Sequence, residues 1–135
     1  MKQLIIISLC FLLLLSACSK PKENPNKIAF DKLNKDWQEC FTKEGNLTKQ
    51  LFVDMNYENE KELNRLKIET AWALTDCRTK TQSFIQFLED NRGEFVKNDA
   101  NLYYSISGTL KSYLNVLDKW DEQMKKLEDL IKNSK

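Results

Sequence analysis

Ile106, Leu110, Tyr113, Leu117, Trp120, Met124, Leu127 and Ile131 follow one another at alternating steps of four and three residues without a miss. An α-helix turns once in 3.6 residues, so this spacing draws one narrow apolar seam along a single long helix. A seam of this kind is coiled-coil-like and predicts neighbouring helices whose axes run nearly parallel. Such a helix needs partners to cover its seam, and the rest of the chain must supply them.

Two further segments have the required pattern. From Lys27 to Glu44, Phe30, Leu33, Trp37, Cys40 and Phe41 recur at helical spacing, and Gly45 follows as a stop signal. Asn46 then heads a piece carrying Leu47, Leu51, Phe52 and Met55, so that Gly45 either breaks this first arm or only kinks it. After the interruption at Asn56-Tyr57-Glu58-Asn59, the residues Leu63, Leu66, Thr70, Ala73, Cys77, Thr81, Phe84 and Leu88 continue the periodicity up to Asp90-Asn91-Arg92-Gly93. This predicts a middle helix of ~30 residues and ~45 Å. Glu94 to Asn98 would link it to the last helix, with Phe95 and Val96 plugging the end of the bundle. The chain has 3 glycines and 2 prolines, the prolines both before residue 26, which leaves few turn makers. Three arms of similar length joined by short turns predict an all-α domain over 27–135, an up-down-up antiparallel three-helix bundle.

The N-terminus is of another kind. Lys2 precedes an apolar run that starts at Leu4 and closes on Leu15-Ser16-Ala17-Cys18, too short for a membrane span of ~20 residues and of the form of a secretory signal. Leu-Ser-Ala-Cys resembles the lipobox of bacterial lipoproteins. That resemblance implies removal of residues 1–17 as a signal peptide, lipid attachment to the sulfur of Cys18, and anchoring of the mature chain in the cell envelope. With Ser19 rather than Asp after the cysteine, it further implies sorting to the outer membrane, facing the periplasm, in a Gram-negative host. Residues 18–26, polar and broken by Pro21 and Pro25, read as an extended tether.

Of the 4 cysteines, Cys10 would leave with the signal and Cys18 would carry lipid. Cys40 and Cys77 are then the free pair in an oxidising compartment. In a hairpin turning near Tyr57 to Asn59 they fall at almost the same height on the two apolar faces, which predicts a Cys40–Cys77 disulfide. A redox pair would instead have close spacing such as Cys-x-x-Cys.

Chemistry is marked by what is missing. The chain has no histidine, which excludes Ser-His, Cys-His and His-based metal sites, and neither a cofactor nor a metal is expected. The carboxylates alternate with lysines as solvated faces do, and Glu89-Asp90 beside Arg92 reads as charge set against a helix end. Lys2 is the one charged residue of 1–17, so residues 18–135 carry 20 basic and 20 acidic side chains. A neutral domain argues against nucleic acid as partner, and leaves the lipid to supply most of the membrane attachment.

Two apolar residues lie off the stripes. Ile68 and Trp72, four apart, fall on the side of the middle helix opposite Leu66, Cys77, Phe84 and Leu88, flanked by Arg65 and Asp76. They form either a partner hot spot or, in the case of Trp72, a cover over the first arm near Gly45. Tyr104 is a second candidate partner-binding site, standing off the seam of the last helix one turn before Gly108. Leu66 through Cys77, with Ala71-Trp72 and Asp76 before a cysteine, also resembles the last helix of periplasmic lysozyme-inhibitor proteins. That match covers about a dozen residues, and Thr75 stands where those proteins have Arg. The sequence thus points to a non-enzymatic module that binds another envelope protein, in an inhibitor, immunity, exclusion or accessory role. The alternative is a structural or chaperone-like helical lipoprotein.

Overall fold

The computed structural model describes residues 24–55 and 57–133. Residues 1–17, Cys18 and the first part of the tether lie outside the described residues. Three helices pack as an antiparallel bundle with no strand among the described residues: α1 Pro25–Lys49, continued by a π-helical turn Gln50–Asp54, then α2 Glu60–Asp90 and α3 Arg92–Asn133.

α1 starts two residues before Lys27, inside the segment expected to be tether. Pro25 occupies the first turn, where a missing N–H costs nothing, and Asn24 caps the helix by accepting from the Asn26 N–H at 2.9 Å. The Asn24 and Asn26 side chains also donate to the Glu94 carboxylate at the start of α3, fixing where the chain enters the bundle. Gly45 neither breaks nor ends the arm, which runs on through it to Lys49. The irregularity comes at the π turn, which carries the fully buried Leu51 into the core. Tyr57 donates its hydroxyl to the Leu51 carbonyl at 3.0 Å, satisfying an acceptor that the end of the helix leaves open.

Asn59 caps α2 through the Glu62 N–H at 3.1 Å, with Glu60 and Glu62 placed against the positive end of the helix dipole. At the other end the Asn91 side chain donates to the Phe87 carbonyl at 2.9 Å, and α3 begins at the next residue. The expected linker 94–98 is therefore helical. The break falls at Asp99 (φ −158°, ψ 90°), whose carboxylate accepts from the Leu102 N–H at 3.0 Å and so caps the long remainder of α3.

The core has two parts. One surrounds Cys77, Leu51, Leu74 and Leu117, and the other surrounds Phe84, Leu88 and Leu110. Phe95 and Val96 pack against the second, closing that end as the sequence suggested. Large rings span the seam between α1 and α3 in matching order: Phe30 against Phe95 at 5.6 Å, Trp37 against Tyr113 at 5.7 Å, and Phe52 stacked on Trp120 at 5.3 Å. That order makes α1 and α3 parallel, with α2 antiparallel to both. On the outer edge of the α2–α3 seam, Arg78 donates to Asp118 at 2.7 Å and Asp121 at 2.6 Å. The two carboxylates outweigh the partial burial that works against the guanidinium charge.

Candidate functional site

The cysteines meet as expected. Cys40 on α1 and Cys77 on α2 form a disulfide, their Cα atoms 5.3 Å apart across a sequence separation of 37. Both are buried, so the bridge ties the hairpin together inside the core.

Trp72 is 76% exposed and Ile68 61%, the two side by side on the α2 face turned away from Leu66, Ala73, Cys77 and Phe84. At that exposure Trp72 does not cover the first arm, and nothing stands within 4 Å of where a Gly45 side chain would begin. The charged residues around the pair are held by one another. Arg65 donates to Glu69 at 2.7 Å and to Glu62 at 2.9 Å, and Lys80 donates to Asp76 at 2.8 Å. These i,i+3 and i,i+4 pairs rest on helical spacing alone and leave an apolar centre beside a rim of mutually paired charges. Such an arrangement suits contact with a protein surface: a tryptophan supplies large area at low conformational cost, and the rim excludes water around it.

Tyr104 is 54% exposed, but it does not join this face. It sits beside the α2–α3 turn, where the Arg92 guanidinium approaches its hydroxyl at 3.4 Å. Trp72 lies ~27 Å back along α2 from that end. Glu89 and Asp90 do not face each other as an acid–base pair: Glu89 accepts from Lys111 at 2.8 Å, and Asp90 from Gln86 at 2.7 Å. The ammonium of Lys111 holds the Glu89 carboxyl below its ordinary range. No group of three or more possible metal ligands occurs among the described residues, and none of their helices is long and apolar enough to cross a membrane.

One polar group was hidden by the pattern. Glu44, which follows the apolar row of α1 and looks like any solvated carboxylate in sequence, is 2% exposed. The Tyr113 hydroxyl donates to its Oε2 at 2.7 Å, while Oε1 is buried without a partner. Burial pushes the Glu44 carboxyl up, against the hydrogen bonds of Tyr113 and Thr48, and burial together with Glu44 pushes the Tyr113 phenol far up. Phe41 and Trp37 contact the Tyr113 ring at 5.2 and 5.7 Å. Closed in by these rings, the pair couples α1 to α3. The one signal for it in the sequence is a tyrosine within the apolar seam of the last helix, since a buried phenol needs an acceptor.

Comparison of the chain with protein-family models, curated proteins and solved structures found no match.

Proposed function

We infer that this chain is a lipid-anchored envelope protein whose helical bundle binds another envelope protein, without catalysis, through the α2 face centred on Trp72 and Ile68. The observation that carries the partner-binding reading is the exposure of Trp72, 76%, on a helix whose opposite face already fills the core. The bundle does not need that side chain, and its ion-paired surroundings give it a fixed setting. The anchor rests on Leu15-Ser16-Ala17-Cys18, with Ser19 favouring the outer membrane in a Gram-negative host. The Asn24 and Asn26 contacts to Glu94 support this arrangement, because the tether leaves the bundle at one end and the Trp72 face stands ~27 Å along α2 from it.

A photo-cross-linking residue placed at Ile68 in the native host tests the reading. One discrete adduct, lost on Trp72→Ala while the variant keeps its melting temperature, supports a specific partner. A continuous ladder of adducts, together with suppression of aggregation of unrelated unfolded proteins, would support the chaperone-like alternative instead. Lipid attachment is read separately, by incorporation of labelled palmitate that Cys18→Ala abolishes.

A further inference from the structure

Around the α2–α3 turn, Glu89 and Arg92 join Tyr103, Tyr104, Ser107 and Lys111 of α3 in lining a cleft of about 360 Å³. This is near the lower limit of ligand pockets, ~300–1,000 Å³. Its floor is polar in an unusual way. Tyr103 is 6% exposed and Ser107 7%, yet neither hydroxyl hydrogen-bonds to any of the described residues. Neither oxygen is sealed in the protein as Glu44 Oε1 and Thr70 Oγ1 are, and both residues line the cleft, so their hydroxyls are free to bond to what enters it.

The rim carries two cations and one acid. Lys111 Nζ donates to Glu89 Oε1 at 2.8 Å. Arg92 has no carboxylate within 4.0 Å among the described residues and reaches only the Tyr104 hydroxyl, at 3.4 Å.

We propose that this cleft binds an anion of the phosphate class, charge-paired with Arg92 and Lys111 and hydrogen-bonded by the hydroxyls of Tyr103, Tyr104 and Ser107. A phosphate presents several acceptor oxygens in different directions. The planar fork of Arg92, the ammonium of Lys111 and three hydroxyls offer more donors, more widely spread, than a carboxylate could use. Glu89 opposes the anion, and Lys111 must turn from Glu89 to it on binding, so the affinity is modest, with a Kd of ~1 mM. A dissolved phosphate and the phosphodiester of a lipid headgroup share this chemistry. Asn24 is held at the same end of the bundle as the cleft, and the six residues 19–24 reach at most ~20 Å, which keeps the cleft within reach of a bilayer if Cys18 carries lipid.

Calorimetric titration of the full chain in non-ionic detergent, with inorganic phosphate and separately with glycerophosphoglycerol, tests the proposal. Saturable one-to-one binding of either probe is expected. Preference for the diester assigns the site to a lipid headgroup, and preference for inorganic phosphate assigns it to a free anion. Arg92→Gln and Lys111→Gln should each weaken binding about tenfold. Glu89→Gln should strengthen it about threefold by removing the opposing charge. Arg78→Gln, at the other charged cluster, should leave it unchanged. Melting curves confirm that each variant is folded. The proposal is overturned if neither probe binds, if binding is indifferent to Arg92→Gln and Lys111→Gln, or if Glu89→Gln weakens it.

Discussion

The Tyr113 hydroxyl of the last helix donates a 2.7 Å hydrogen bond to the Glu44 carboxylate of the first, inside the bundle and beside the rings of Phe41 and Trp37. Tyr113→Phe removes the donor and strands a buried acceptor, so it should cost ~1–3 kcal/mol in urea denaturation followed by circular dichroism. The same pair sets a pH dependence. Burial raises the Glu44 carboxyl above its ordinary 4.5, so the folded chain holds this proton more tightly than the unfolded chain does. Its stabilising contribution is complete below that value and is lost as pH rises through the raised pKa. Glu44→Gln should flatten this decline. It should leave untouched the acid limb, where Glu62, Glu89 and Glu94, all lowered by their hydrogen-bond partners, lose stability as pH falls through their lowered values.

The Cys40–Cys77 bridge closes a loop with a sequence separation of 37. Restricting that loop in the unfolded chain stabilises the fold by ~4 kcal/mol in the chain-entropy account. The double variant Cys40→Ala, Cys77→Ala should lose about that amount, and a reducing agent should destabilise the wild type similarly while leaving the double variant unaffected. Equal sensitivity of both proteins to the reductant would contradict the assignment.

The parts of this molecule that could be read in the sequence are those fixed by helical period. The α3 seam, the α2 stripe and the matching heights of Cys40 and Cys77 all follow from 3.6 residues per turn, and the disulfide lies where that register puts it. The polar placement of Ile68 and Trp72 follows from the same period. What escaped depends on meetings between helices. Glu44 is buried because the Tyr113 hydroxyl arrives from 69 residues away. The cleft gathers Glu89, Arg92 and Lys111 across a turn, and no periodicity relates them. Two local features were also hidden: the π turn at Gln50–Asp54 has no characteristic residue, and Asp99 acts as a cap within a segment already helical on its N-terminal side.

Trp72 and Phe84 lie on the same helix, and truncating them should have opposite consequences. Phe84 is fully buried against Phe30 at 5.4 Å, so Phe84→Ala opens a cavity and should cost ~3–5 kcal/mol. Trp72 touches solvent over most of its surface, so Trp72→Ala should change stability by no more than ~0.5 kcal/mol. Fluorescence checks the exposure independently: acrylamide should quench a component of the tryptophan emission that disappears in Trp72→Phe. A large loss of stability in Trp72→Ala would show that this ring supports the fold and would remove the physical basis for a free partner-binding face.

Gly45 carries a stop signal in sequence but lies inside α1, with ordinary negative φ and nothing within 4 Å of the place a side chain would occupy. Its backbone freedom is therefore a cost to the helix with no turn or close approach to offset it. Gly45→Ala should stabilise the protein by ~0.5–1 kcal/mol, mainly by restricting the unfolded chain. Gly108, inside α3 with equally open surroundings, should behave the same way, and the two gains should add because the sites share no partner. Thermal and urea unfolding of the single and double variants measure both effects. A loss of stability in Gly45→Ala would mean that the first arm bends there in solution, and the continuous α1 that brings Glu44 to Tyr113 would then be in error.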